Sequence, residues 1–259
     1  MKRAMYRNAT IAAATGLMLA AGLGLGLAAC TPAQDGGARK AQGGSSPSAW
    51  NQTPVIEAAQ VDGREVRLSG SAQPGARIVL RSAAGAAYAA VAGDDGRFDL
   101  RMEAPAQDLW LKPETQVGQD AAASPDTLFV PAGGQGPIAV LRAGGPTRRL
   151  DRAPALGAID SDGQARRLAG RTAQGTQTLP VTVGEVSLQA FPDAAGHWNI
   201  VLGPEASGDQ IVIGDEVFVW PGRGEAGGQT PRRERAAEGW RVVWAEGGAL
   251  QTAWLPDAR

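Results

Sequence analysis

The 259-residue chain contains one histidine and one cysteine, His197 and Cys30, and these limit its chemistry more than any other residues do. A Ser/His/Asp hydrolase would have to use His197. That residue opens the run His197-Trp198-Asn199-Ile200-Val201-Leu202, where Trp198, Ile200 and Leu202 share one face of a strand and His197 lies on the other, so it is expected to face solvent. No Gly-x-Ser-x-Gly elbow accompanies it. Zinc and related metals favour clustered His and Cys, and the chain offers none, so no metal site is expected. The acidic loops Gly93-Asp94-Asp95-Gly96 and Asp160-Ser161-Asp162-Gly163 could present oxygens to calcium, but turn formation accounts for the same residues more simply. Glycoside hydrolysis needs two paired carboxylates, and no pair stands out among 26 evenly spread acidic residues. Gly133-Gly134-Gln135-Gly136 lacks the Lys-Ser/Thr and the helix of a phosphate loop, and reads as a connection between strands. No cofactor is implied and the chain is not expected to be an enzyme; an envelope hydrolase is the last of the readings because it has no anchor residue.

Tryptophan supplies the other candidate chemistry. Trp220, Trp240, Trp244 and Trp254 all fall within the last 40 residues, and indole faces stack on sugars and anchor protein contacts. Trp244 and Trp254 are expected to pack a core, being in phase with Val242, Leu250 and Thr252 along a hairpin. Trp220 and Trp240 are left as the candidate binding surface, for a polysaccharide or an envelope protein.

The chemistry of Cys30 follows from what precedes it. Lys2, Arg3 and Arg7 lead into an uncharged Ala9–Ala29 run rich in Ala, Leu and Gly, the layout of an export signal. Leu27-Ala28-Ala29-Cys30 resembles the lipobox of bacterial lipoproteins. The resemblance implies cleavage between Ala29 and Cys30 and lipidation of Cys30 itself. Each buried methylene contributes about 0.8 kcal/mol, and two or more acyl chains make membrane attachment durable. In Gram-negative lipoproteins Asp after the Cys retains the protein at the inner membrane; Thr31 stands there, so the resemblance implies the outer membrane, facing the periplasm.

Removing residues 1–29 leaves 22 basic against 26 acidic side chains, a net charge of −4, and nothing favours nucleic acid. The basic runs Arg148-Arg149 and Arg232-Arg233-Glu234-Arg235 are too short to change that, and the second lies in the Gly/Pro-rich stretch Pro221 to Glu238, expected to be a solvated mobile loop. Residues 30–53 are polar and rich in Gly, Ser and Pro, which predicts a flexible tether spanning about 25 Å.

Beyond the tether the chain repeats itself. Asp62-Gly63, Arg67-Leu68, Gly70, Gly75, Ala90 and Gly96 recur as Asp162-Gly163, Arg167-Leu168, Gly170, Gly175, Ala190 and Gly196, at a gapless offset of 100. Arg97-Phe98-Asp99-Leu100-Arg101-Met102 alternates in the same phase as the run from His197. Each copy ends on a Gly-Gly hairpin, at Gly144-Gly145 and Gly247-Gly248. Low aromatic content, 36 Gly and 17 Pro point to an all-β fold. Two tandem β-sandwich repeats of about 100 residues are expected at 54–153 and 154–259. The first copy, with Gly70-Ser71-Ala72-Gln73-Pro74-Gly75 and Asp94-Asp95-Gly96-Arg97-Phe98, resembles bacterial immunoglobulin-like domains. The second departs from the pattern, with Gln174 for Pro74 and Ala194 for Asp94. The resemblance implies a binding or scaffolding role and carries over no catalytic residue.

Overall fold

The computed structural model describes residues 52–117, 120–225 and 227–258, all within one compact unit. Ala29 and Cys30 lie outside the described residues. No helix among the described residues is long and apolar enough to cross a membrane.

The chain is all-β, and its strands come in two sets of the same design. In the first, β1 (Val55–Asp62), β2 (Glu65–Ser71) and β5 (Arg97–Glu103) form one antiparallel sheet in the order β1-β2-β5. The facing sheet runs β4 (Ala87–Val91), β3 (Arg77–Arg81), β6 (Leu109–Val117), β8 (Thr127–Val130), β9 (Ala139–Leu141), β10 (Arg148–Arg149), and β7 (Asp120–Ala123) pairs with β6. The second set repeats β11 (Leu156–Ser161), β12 (Arg166–Arg171) and β15 (His197–Leu202) against β14 (Val186–Ala190), β13 (Leu179–Val183), β16 (Gln210–Ile213) and β17 (Glu216–Val219). In each set the chain crosses between two antiparallel sheets, after β2, β4 and β5 in the first, and the two sheets enclose a core as a β-sandwich.

Alternation builds these strands. Along β5, Phe98, Leu100 and Met102 are buried while Arg97, Asp99 and Arg101 are exposed. Along β15, Trp198 and Leu202 are buried and Asn199 and Val201 exposed. The copies also share their irregularities. Both β1 and β11 carry a β-bulge, at Glu57 and Gly157. Gly70 and Gly170 each sit so close to a neighbouring carbonyl and an aromatic ring that a Cβ would lie 2.1 Å from the Val55 oxygen in one and 2.0 Å from the Ala155 oxygen in the other. Only glycine fits at such an approach. The repeat is not gapless throughout, however. Five residues, Ser82 to Ala86, join β3 to β4, whereas Gly184-Glu185 alone join β13 to β14, and the flanking connections are correspondingly longer.

The ends of the two sets diverge. The hairpin β9-β10 extends the four-strand sheet beyond β8. Its counterpart, β19 (Gly239–Glu246) and β20 (Ala249–Pro256), instead crosses to the other sheet, where β20 pairs with β11. The basic run expected to be a mobile loop is β18 (Arg232–Arg235), hydrogen-bonded along β19. Its charges are held: Arg235 pairs with Asp257 at 2.8 Å, Arg233 with Asp108 at 3.2 Å, and Glu234 with the buried Arg241.

Each sandwich has its own core, around Leu68, Ile78 and Leu111 in one and Leu168, Val181 and Ile211 in the other. A third core joins them. Phe129, Ala139 and Leu141 from the first set pack against Ala158, Val242, Trp244, Ala253 and Leu255 from the second. Lys112–Glu246 at 3.0 Å and the contact of Arg233 with Asp108 border this seam.

Candidate functional site

Trp244 and Trp254 are both buried, yet they do not share a core. Gly247 and Gly248 close β19-β20 so that Trp244 pairs with Gln251 and Trp254 with Arg241, which puts the two indoles on opposite faces. Trp244 enters the seam, and Trp254 enters the second sandwich, where its Nε1 donates to the Ala236 carbonyl at 2.9 Å. The expectation of one shared face is corrected by that register.

Trp220 and Trp240 are not brought together. Trp220 is half-buried against the second core, with the Arg166 guanidinium 4.7 Å from its ring centre. Trp240 is half-buried on the seam face of β19, with Arg233 at 4.1 Å and Arg235 at 4.8 Å from its ring. Cations attracted to the indole faces stabilise these positions and occupy surface that a sugar would need.

The acidic loops use their oxygens in turns. Asp162 Oδ1 accepts from the backbone N–H of Gln164 and Ala165, and Asp95 Oδ1 accepts from that of Arg97. Among the described residues no group of three or more His, Cys, Asp or Glu could hold a metal ion. Asp160 is the exception to turn formation. Its side chain leaves β11 on the seam side, where Oδ2 accepts from the Thr147 N–H at 2.8 Å while the buried Oδ1 makes no hydrogen bond. Burial pushes this carboxyl up to about 7, against the opposing pull of Thr147 and the Arg167 charge.

His197 does not simply face solvent. It lies in the wall of a cleft of about 360 Å³ formed where Pro146–Arg149 and the following linker cross the outer face of the β11-β12-β15 sheet. Gly157 and Ala169 form the floor, Arg148, Arg149, Arg171 and Asn199 the sides, and Phe191, 70% exposed, the lip. Desolvation holds the imidazole below its ordinary value, Arg171 and Arg148 push the same way, and Asp193 opposes them. Arg149 is fully committed, bidentate to Asp151 at 2.7 and 2.6 Å and donating to the Pro256 carbonyl. Asp193 accepts from the backbone N–H of Ala195 and His197. Among the described residues, Arg148 and Arg171 donate only to the carbonyls of Ile56 and Ala195, and neither has a carboxylate within 4 Å.

Sequence reasoning missed Arg148 and Arg171 as members of the cleft. The available signal was the repeat itself: Glu57 and Ser71 of the first copy are Gly157 and Arg171 in the second. No family model matches the chain, and no curated protein is detectably similar to it in sequence.

Proposed function

We propose that the chain is a lipid-anchored protein of the bacterial cell envelope, whose two β-sandwiches serve a non-enzymatic binding or scaffolding role. The observation that carries this reading is Leu27-Ala28-Ala29-Cys30 at the end of the uncharged run from Ala9. Cys30 receives the lipid, residues 1–29 are removed, and Thr31 directs the product to the outer membrane, facing the periplasm. The seam core supports the scaffolding half of the reading, since it joins two sandwiches that a flexible linker would otherwise leave independent. Polysaccharide binding through Trp220 and Trp240 loses support from the guanidinium groups lying on both rings.

Growth with labelled palmitate tests the proposal. The wild-type protein should take up label and sediment with membranes, while Cys30→Ala should remain unlabelled. Absence of label from the wild type would refute it.

A further inference from the structure

We infer that the cleft between Arg148, Arg171 and His197 is a binding site for a small organic carboxylate with an apolar or aromatic body. The first copy shows what normally fills this place. There the bulge residue Glu57 sends its carboxylate to Arg97 at 3.0 Å and accepts from the Ser71 hydroxyl at 2.7 Å. In the second copy the bulge residue is Gly157, Arg97 is replaced by His197, and Ser71 by Arg171. The internal carboxylate has gone, while one guanidinium is kept, lost at position 97 and gained at position 171. The hairpin of the first sandwich then contributes Arg148, half-buried and opposed only by the longer-range attraction of Asp126 and Glu57.

Burying a cation such as Arg148 without a counter-charge is unfavourable unless something else satisfies it. The two carboxylates in the cleft are already engaged, Asp151 by Arg149 and Asp193 by its own turn through Oδ1 and by His197 Nδ1, 3.7 Å from Oδ2. Arg148 and Arg171 keep unused guanidinium donors, of the kind that pairs with a carboxylate through charge-assisted hydrogen bonds. The body of the ligand lies over Gly157 and Ala169, which bring no more than a methyl to the floor, beside the Arg149 stem that passes 3.3 Å from where a Gly157 Cβ would stand. Phe191 on the lip offers an apolar face. A volume of about 360 Å³ lies within the roughly 300–1,000 Å³ range of small-molecule sites.

The site does not depend on lipidation, so this inference and the proposed anchor can fail separately. Phenylacetate, acetate and inorganic phosphate are the probes, added to the full-length protein in detergent, with the resonance of the single histidine as reporter. Phenylacetate should shift the His197 signal saturably and bind more tightly than acetate or phosphate. Arg171→Gln, a change at an exposed side chain, should weaken phenylacetate about tenfold. Gly157→Glu should abolish binding by restoring the internal carboxylate, and Phe191→Ser should bring phenylacetate down to the affinity of acetate. No saturable shift in the wild type, or an Arg171→Gln protein that binds phenylacetate unchanged, would overturn the inference. Phosphate binding more tightly than phenylacetate would overturn the assignment to a carboxylate.

Discussion

Replacing Asp160 by Asn should make the protein more stable in mildly alkaline solution and leave it no better off in acid. Asp160 is pushed up to about 7 by burial, whereas the same carboxyl in the unfolded chain titrates near its ordinary value of roughly 3.9. Between those values the folded state holds a proton that the unfolded state has lost, so stability falls as pH rises through the folded pKa. A shift of about three units corresponds to ~4 kcal/mol at full effect. The realised figure will be smaller, because the same carboxylate accepts from the Thr147 N–H that ties the β9-β10 hairpin to β11. Asn keeps that acceptor and removes the charge, but adds an NH₂ group that needs a partner. Urea denaturation followed by Trp fluorescence, from acid to mildly alkaline pH, should show the variant ahead of wild type in alkali and the gap closing as pH falls. Asp162, Asp193 and Asp257 are held below their ordinary values and give the opposite trend, but they are common to both proteins and cancel in the difference. A stability difference that stays constant across the range would refute the reasoning.

Other consequences can be checked on the same footing. Phe129→Ala removes a fully buried side chain from the seam and its tilted contact with Trp110 at 4.8 Å; it should cost about 3–5 kcal/mol, read as a lower urea midpoint. Gly170→Ala must push a methyl towards the Ala155 carbonyl and the Trp198 ring, and Gly70→Ala should match it in the first copy, each losing about 1–3 kcal/mol or more. Arg241→Ala strips Pro221, Gly222 and Glu234 of a shared buried donor; limited proteolysis should then cut within 221–231 faster than in wild type. The His197 resonance should titrate below the ordinary histidine value, and Arg171→Gln should raise its pKa by removing a neighbouring positive charge.

Local patterns made much of the architecture legible. The alternation in Arg97–Met102 and His197–Leu202, the glycines at 70 and 170 and the Gly-Gly turns all encode short-range geometry that a chain cannot adopt in many other ways. The charged β18 was illegible because Arg232-Arg233-Glu234-Arg235 has no apolar alternation; β19 and the Trp240 ring make it a strand. The destination of β19-β20 was equally hidden, since pairing with β11 or with β17 is decided by which apolar face meets Phe129 and Leu141, not by the hairpin's own sequence. The register of β19 against β20 puts Trp244 and Trp254 on opposite faces. The cleft escaped notice for a related reason. Its cations come from both sandwiches, and its defining feature is a missing side chain at Gly157, which means something only beside Glu57.

The intact mass of the protein extracted from membranes tests the proposed anchor most directly. The account predicts a chain that begins at Cys30 and carries the added mass of a glycerol unit with two or more acyl chains. A chain that retains residues 1–29, or one that begins elsewhere with Cys30 as a free thiol, would contradict it.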